Sequence, residues 1–569
     1  MSPVLPLLTA LLLSAAPDPR LVVLDAMAAE LDRSASRLQL EGYERPFYLG
    51  YQAREVSARE LRGRYGAVTS DFTRRDRALQ VDVRVGSYEQ DSSGSADDVL
   101  VLGPEPPGWS APREAPLDDS PQALRNALWL LTDERYKEAL AGWLKKRTRD
   151  VFRRGDPARA PSFSREPPVR ELDPPRPLAF DAERWRGAIR QITAVFRDHP
   201  EIFDAQVRVE AERQIRWLVT SEGTRLVTES LLYGVHLTAV ARAEDGQLLD
   251  GGRDLYAPGE AGLPSTAALV EAARAVAGEL EALRRAPPID PYTGPAILEP
   301  EAAGVLFHEA VGHRLEGERL EDDKDGQTYR GQIGQRILPA FLSIADDPTL
   351  LVASGQPLNG VYRWDDQGVP ARRTVLVEQG TLRTFLLSRK PVKPFDRSNG
   401  HGRSQGGRAP MARMSNLVVE SARRLDRAAL KAALLAEVRR QGKPYGLVIR
   451  DITGGNTNTA SWGYQAFKGT PRLVYRVDAE TGAETLVRGV ELVGTPLASV
   501  NKVLATGEEV RAFNGFCGAE SGFVPVATVA PAVLVGEIEL QRVARAMERG
   551  PILPSPWQQE PGPALRKAP

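Results

Sequence analysis

A pair of prolines, Pro287-Pro288, ends an Ala-rich helical stretch over 266–285 and divides the chain into two unlike halves. Proline has no amide hydrogen and disfavours helical geometry in the residue before it, so a helix must stop here. Before the pair, helical and strand patterns alternate. Residues 21–38, 181–196 and a stretch from Ser120-Pro121 towards Arg154 carry helical spacing; 47–56, 79–85, 207–219 and 231–241 read as strands. After the pair, β signals dominate. Residues 374–387 form a hairpin pattern around Gln379-Gly380, 473–493 another turning near Thr481-Gly482, and 524–540 alternate like a strand; one helix, 425–440, interrupts them. The expectation is an α+β protein, with an N-terminal mixed α/β domain over 17–286 and a strand-rich C-terminal domain over 287–545. The length of 569 residues is ample for both.

The remaining segments read as ends and connections. Residues 1–16 look like an export signal, an apolar run followed by small residues, although no Lys or Arg precedes it. This places the protein in the periplasm or outside the cell, with the cytoplasm as the alternative. No segment reaches the ~20 apolar residues of a membrane span. Residues 155–177, dense in Pro and Arg, read as an irregular solvated linker, and 546–569 as a Pro-rich tail. Basic and acidic residues number 74 and 75, which removes the bulk electrostatic case for nucleic-acid binding.

Chemistry that uses His or Cys must draw on six residues: His199, His236, His308, His313, His401 and Cys517. One cysteine forbids an internal disulfide and a Cys-rich zinc module. Two of the histidines and a glutamate share the run His308-Glu309-Ala-Val-Gly312-His313-Arg-Leu-Glu316-Gly317, preceded by Pro300, which is placed to open a helix. In the H-E-x-x-H zinc motif the histidines lie one turn apart on a single face. Here one extra residue intervenes, and an ideal helix would rotate the second imidazole by about 140° and raise it by about 7.5 Å. If both bind one ion, the helix is deformed between them, with Gly312 at the cheapest place for a π-bulge. Two histidines and a glutamate on a partly buried helix could equally be accidental.

The run from Pro295 to Gly317 resembles the metalloprotease subunit of the TldD/PmbA family (peptidase family U62). Ile344-Ala-Asp-Asp-Pro-Thr349, the stretch from Asp366 to Gly380, Pro410-Met-Ala-Arg-Met-Ser-Asn416 and Gly454-Gly455 are similar to family elements in the same order. The resemblance is dense from about Pro287 to Leu540 and thin before it, and the region 154–177 looks inserted relative to the family. It implies that the C-terminal domain is catalytic, that its helix binds metal, and that the chain is a zinc-dependent peptidase acting on unfolded or extended peptides. It implies one Zn2+ per chain held by His308, His313 and Cys517, the last in a Gly-bracketed loop, with Glu309 as general base. His401 and Arg413 would then touch substrate in a groove lined by 399–410. Glu316 would stand behind His313 as its hydrogen-bond partner, or simply be solvated. Family dimers imply a homodimer, or a heterodimer with a related subunit. A His/His/Cys set is chemically sound for catalytic zinc, since three ligands leave a fourth position open.

Two other readings compete. One is a non-catalytic, zinc-stabilised peptide-binding or scaffold protein. The other is a serine hydrolase using Ser404 in Gly402-Arg-Ser-Gln-Gly406, which matches G-x-S-x-G but lacks the strand before and helix after that the elbow needs. An acidic run at 321–326 hints at a calcium loop, but Gln332 stands where the closing acid belongs. His199 and His236 read as structural.

Overall fold

The computed structural model describes residues 18–93, 113–152, 160–320, 328–457, 467–494 and 496–543, with 553, 555 and 556. The expected signal at 1–16, the rejected calcium-like run and nearly all of the expected tail lie outside them. The N-terminal half contains α1 (Arg20–Arg37), β1 (Pro46–Arg64), β2 (Ala67–Val85), β3 (Arg113–Glu114), α2 (Pro121–Phe152), β4 (Arg170–Leu172), α3 (Ala182–Ala194), β5 (Ile202–Thr220), β6 (Arg225–Arg242), β7 (Leu248–Ala257) and α4 (Thr266–Arg285). Its strands form one sheet in the order β3-β2-β1-β5-β6-β4, with β7 also on β6.

Alternation along these long strands sorts the sheet into two faces. Odd-numbered side chains such as Leu49, Tyr51, Leu61, Val209, Trp217 and Val235 are buried under the four helices. Helix α1 meets them with Val23, Met27 and Leu31, one turn apart; α4 does so with Leu269, Ala273, Val276 and Leu280. The N-cap of α4 is Ser265, whose side chain accepts from the Ala268 amide at 3.3 Å. The even face is polar, with Arg54, Glu60, Glu210, Glu212, Arg216 and His236, and part of it is turned towards the C-terminal half. There Arg54 and Arg216 both pair with Asp366, and Gln52 donates to the Asp366 carbonyl at 2.9 Å.

The Pro- and Arg-rich stretch is anchored at points over its described part, 160–177, although half of its residues there are exposed. Its β4 pairs in parallel with β6. Phe163 is buried against Tyr48, with the Arg389 guanidinium 4.0 Å from its ring centre. Arg389 is itself buried and also binds Glu222 and the Ser164 carbonyl. One aromatic inserted between the halves is enough to seat a segment whose composition reads as solvated.

The C-terminal half runs β8 (Tyr292–Leu298), α5 (Pro300–Ala310), β9 (Leu342–Asp346), β10 (Val352–Ala353), β11 (Gln356–Pro357), β12 (Thr374–Glu378), β13 (Thr381–Leu382), β14 (Gly402–Arg403), β15 (Met411–Ala412), β16 (Asn416–Ser421), β17 (Arg424–Leu425), α6 (Arg427–Arg440), β18 (Tyr445–Thr457), β19 (Phe467–Asp478), β20 (Glu484–Val487), β21 (Val490–Gly494), α7 (Pro496–Asn501), β22 (Val503–Ala519) and β23 (Gly522–Arg542). The main path is β13-β12-β9-β16-β23-β21-β19-β18-β8, and β8 pairs back to β23. Five strands, β8, β18, β19, β21 and β23, therefore close into a ring. Alternate residues of β8 serve two layers: Ala296 and Leu298 join the cluster containing α5, whereas Ile297 joins the cluster containing α6. Helix α5 is apolar almost all round, and Ala302, Ala303, Val305, Leu306 and Phe307 are buried, as expected of a helix enclosed by other elements.

Candidate metal centre

The chain enters α5 directly from β8, with Pro300 at the start of the helix. The helix ends at Ala310, and residues Gly312–Leu315 form a tighter 3-10 turn. The deformation expected between the histidines is therefore a helix end rather than a π-bulge. Gly312 serves a steric need: a Cβ there would stand 2.1 Å from Met414 Sδ. The turn brings the His308 and His313 rings to 5.0 Å between centres, nearly perpendicular.

Cys517 comes from a different part of the domain. It does not lie in a loop, as its glycines suggest, but near the end of β22, paired with Val524 of β23. Its Sγ lies 3.3 Å from His308 Nε2 and 3.3 Å from His313 Nε2. Tetrahedral zinc with ordinary Zn–S and Zn–N bonds would set sulfur and nitrogen about 3.6 Å apart. The donor set fits zinc in type and, within a few tenths of an ångström, in spacing. Burial opposes the Cys517 thiolate, but the two imidazoles overcome it and hold the thiol well below its ordinary 9.0. Burial likewise opposes a charge on His313, yet Cys517 and Glu316 raise its pKa to about 10. A thiolate beside a cation is the charge pattern a metal would replace.

Glu316 is fully buried, which excludes the solvated reading. Its Oε2 accepts from His313 Nδ1 at 3.1 Å and Arg319 Nε at 2.8 Å. That bond fixes the tautomer and leaves Nε2 free towards Cys517. The His308 Nδ1 lies 3.4 Å from Thr528 Oγ1. Glu309 is 7% exposed, its Oε2 is 4.0 Å from His313 Nε2, and burial raises its carboxyl above the usual range.

The two residues expected to touch substrate do not face open space. His401 is fully buried, its Nε2 3.1 Å from Asp346 Oδ1 and its Nδ1 3.0 Å from Asn399 Oδ1. Arg413 is also fully buried, and its side chain is spent on the β22–β23 turn. The first part of the supposed flexible loop over 399–410 is pinned inside the protein, with Asn399, His401, Arg403 and Ser404 all buried, while 405–410 reach the surface. The hydrogen bonds of Ser404 run to Asp366 and Arg54, with no histidine among them. A G-x-S-x-G hydrolase elbow has no counterpart here.

Of the remaining histidines, His236 sits between Asp254, 2.5 Å from Nδ1, and Glu210, 3.0 Å from Nε2. His199 Nδ1 lies 2.6 Å from Glu281 Oε1. With Glu201 these last two make a second, more exposed donor cluster, to which the short-range motifs gave no clue. Beside Cys517, the half-exposed Phe516 meets Tyr256 of β7 edge-on at 6.3 Å, so the N-terminal half abuts the centre.

Residues 291–542 match the family model described as the PmbA/TldA metallopeptidase C-terminal domain. That stretch is therefore a domain of the TldD/PmbA type. It is similar to a metalloprotease of Archaeoglobus fulgidus, 33% identical over 239 residues that make up 42% of this chain and 51% of that protein. It is also similar to a zinc metalloprotease TldD homolog of Saccharolobus solfataricus, 25% identical over 248 residues, 43% of this chain and 51% of that protein. The chain thus spans about half the length of the curated relatives it matches. The fold likeness reaches further than the sequence likeness. The crystal structure of TldE from Thermococcus kodakarensis superposes with a TM-score of 0.59 at 14% identity, covering 91% of this chain and all of that one. The matched domain accounts for most of the C-terminal half, and the fold likeness extends over the N-terminal sheet as well. No described helix is long and apolar enough to cross a membrane.

Proposed function

We propose that the chain is a zinc-dependent peptidase that hydrolyses peptide bonds of extended or unfolded peptides. The observation that carries this reading is the meeting of His308, His313 and Cys517, with the sulfur 3.3 Å from both Nε2 atoms although it stands 209 and 204 residues away along the chain. One zinc ion held by these three residues would supply Lewis acidity, polarising a peptide carbonyl and making water acidic near neutral pH. Glu309 takes the proton of the attacking water and returns it to the leaving amine. Its carboxylate lies 4.0 Å from His313 Nε2, beside the proposed ligands, where it can reach a water held there. Glu316 holds His313 by Nδ1 so that Nε2 stays directed at the ion. Half-exposed Phe516 and exposed Phe523 supply apolar surface on the hairpin that carries Cys517, where extended peptide can lie.

Glu309→Gln is the direct test. Zinc content should remain that of the wild type while cleavage of an unfolded protein falls by about 10²-fold or more. Full cleavage by that variant sinks the role given to Glu309, and a zinc-loaded wild type that cleaves nothing leaves the scaffold reading. Ser404→Ala should leave the catalytic step intact. The family resemblance supports a dimer, either of two copies or with a related subunit, and light scattering of the purified chain separates these. Export is read from residues 1–16 alone. A mature N-terminus near Pro17 supports it, and an intact Met1 overturns it.

A further inference from the structure

Arg413 is the side chain that joins the two carriers of the proposed ligands. It lies just after β15 and is fully buried. Its Nη2 donates to the carbonyl of Cys517 itself at 2.6 Å. Its Nη1 donates to Ser521 Oγ at 2.8 Å and to the Gly522 carbonyl at 2.9 Å. Three bonds thus hold the end of β22 and the turn into β23. On its other edge, Nε lies 3.4 Å from Glu316 Oε1, and the opposite oxygen of that carboxylate holds His313. Neither Nε nor Oε1 has a hydrogen-bond partner among the described residues, so this edge is an ion-pair contact; a single planar group therefore spans from the backbone of the cysteine, by hydrogen bonds, to the carboxylate behind the histidine, by charge.

The surroundings of Arg413 bear this geometry out. A buried guanidinium is costly unless it is paired, and its planar fork fixes directions that an ammonium cannot. Arg319 makes a parallel link from Glu316 to Glu520, but that carboxylate is largely exposed and holds the hairpin only by a side chain. The neighbouring Met414 packs against Gly312 in the turn between the histidines. Residues 413 and 414 thus touch both halves of the ligand set from behind, and neither faces substrate.

We propose that Arg413 is a positioning residue of the zinc site: it sets the Cys517 sulfur against the two imidazoles, so that its loss weakens thiolate ligation before it weakens the fold. The proposal rests on the zinc reading above. Cobalt(II) is the probe, because tetrahedral cobalt shows ligand-field bands and, when a thiolate is bound, a separate sulfur-to-cobalt charge-transfer band. Metal-free wild type, Arg413→Met and Arg413→Lys are titrated with cobalt, then with zinc in competition, after their metal-free melting curves have been recorded. The expected result for Arg413→Met is a 10- to 100-fold loss of affinity, the order found when groups behind metal ligands are removed, with the charge-transfer band falling more than the ligand-field bands. Arg413→Lys keeps the charge and the fold but not the fork, and should recover only part of the loss. Folded variants with wild-type affinity and an undiminished charge-transfer band overturn the proposal. A wild type that binds no cobalt through sulfur overturns the zinc reading, and this proposal with it.

Discussion

At the scale of the residue, the chemistry of Cys517 follows from its neighbours. A lone buried cysteine is ordinarily a small hydrophobe. Here two imidazole nitrogens lie at contact distance and favour the thiolate, and no second cysteine is available to form a disulfide. Cys517→Ala should lower zinc content at least 10-fold, measured by elemental analysis after dialysis, because two histidines alone make a weak site. Unchanged zinc would shift the third ligand to another group, with Glu316 first in line. Much of this set could be read in advance. His308, Glu309 and His313 are adjacent in sequence, and the spacing itself announced a helix in trouble. The roles of His401 and Arg413 were not legible. Both read as substrate contacts, and only tertiary structure reveals that Asp346 and Asn399 hold His401 and that the β22–β23 turn holds Arg413.

At the scale of the element, the critical segment is the helix end between the two histidines. Met414 is fully buried, so it cannot swing aside for a new methyl group at position 312. Gly312→Ala should cost about 1–3 kcal/mol in a denaturant melt, the usual toll of overpacking. Truncating the neighbour in Gly312→Ala/Met414→Ala should relieve part of it; a single variant as stable as the wild type would show that the turn has slack. Helices such as Arg20–Arg37 and Thr266–Arg285 were legible to within a residue or so, because their buried residues recur every turn and Ser or Pro marks their ends. The turn at Gln379-Gly380 was legible too, since both residues take positive φ, 47° and 77°. β22 was not. Its last residues, Asn514-Gly-Phe-Cys-Gly518, break the alternation with two glycines, and the strand owes its existence to the length of β23 beside it.

At the scale of the molecule, the N-terminal sheet and the C-terminal half are joined through buried charge. Burial alone would raise the pKa of Asp366, but Arg54 and Arg216 from the N-terminal sheet bring it down to about 2. A carboxyl with a depressed folded pKa stabilises above its unfolded value of 3.8, and the contribution is lost as pH falls towards 2. At pH 7 it is worth about 2 kcal/mol. Asp366→Asn should therefore melt below the wild type at neutral pH, with the gap closing between pH 4 and pH 2. A gap that stays constant with pH would mean the pair contributes no charge term. Arg389→Met removes one partner of the buried pair with Glu222 and should cost about 3–5 kcal/mol. Calorimetry should then show the single transition splitting as the halves lose their hold on one another.

The ring of five strands has a consequence in time as well as in space. Strand β23 completes it, by pairing at once with β8, which leads into the histidine helix, and with β22, which carries the cysteine. During synthesis the histidines emerge long before the sulfur can be held against them. A chain still missing β23 has the motif but no means of gathering it. The order of the strands thus postpones assembly of the His308, His313 and Cys517 cluster until the domain is whole.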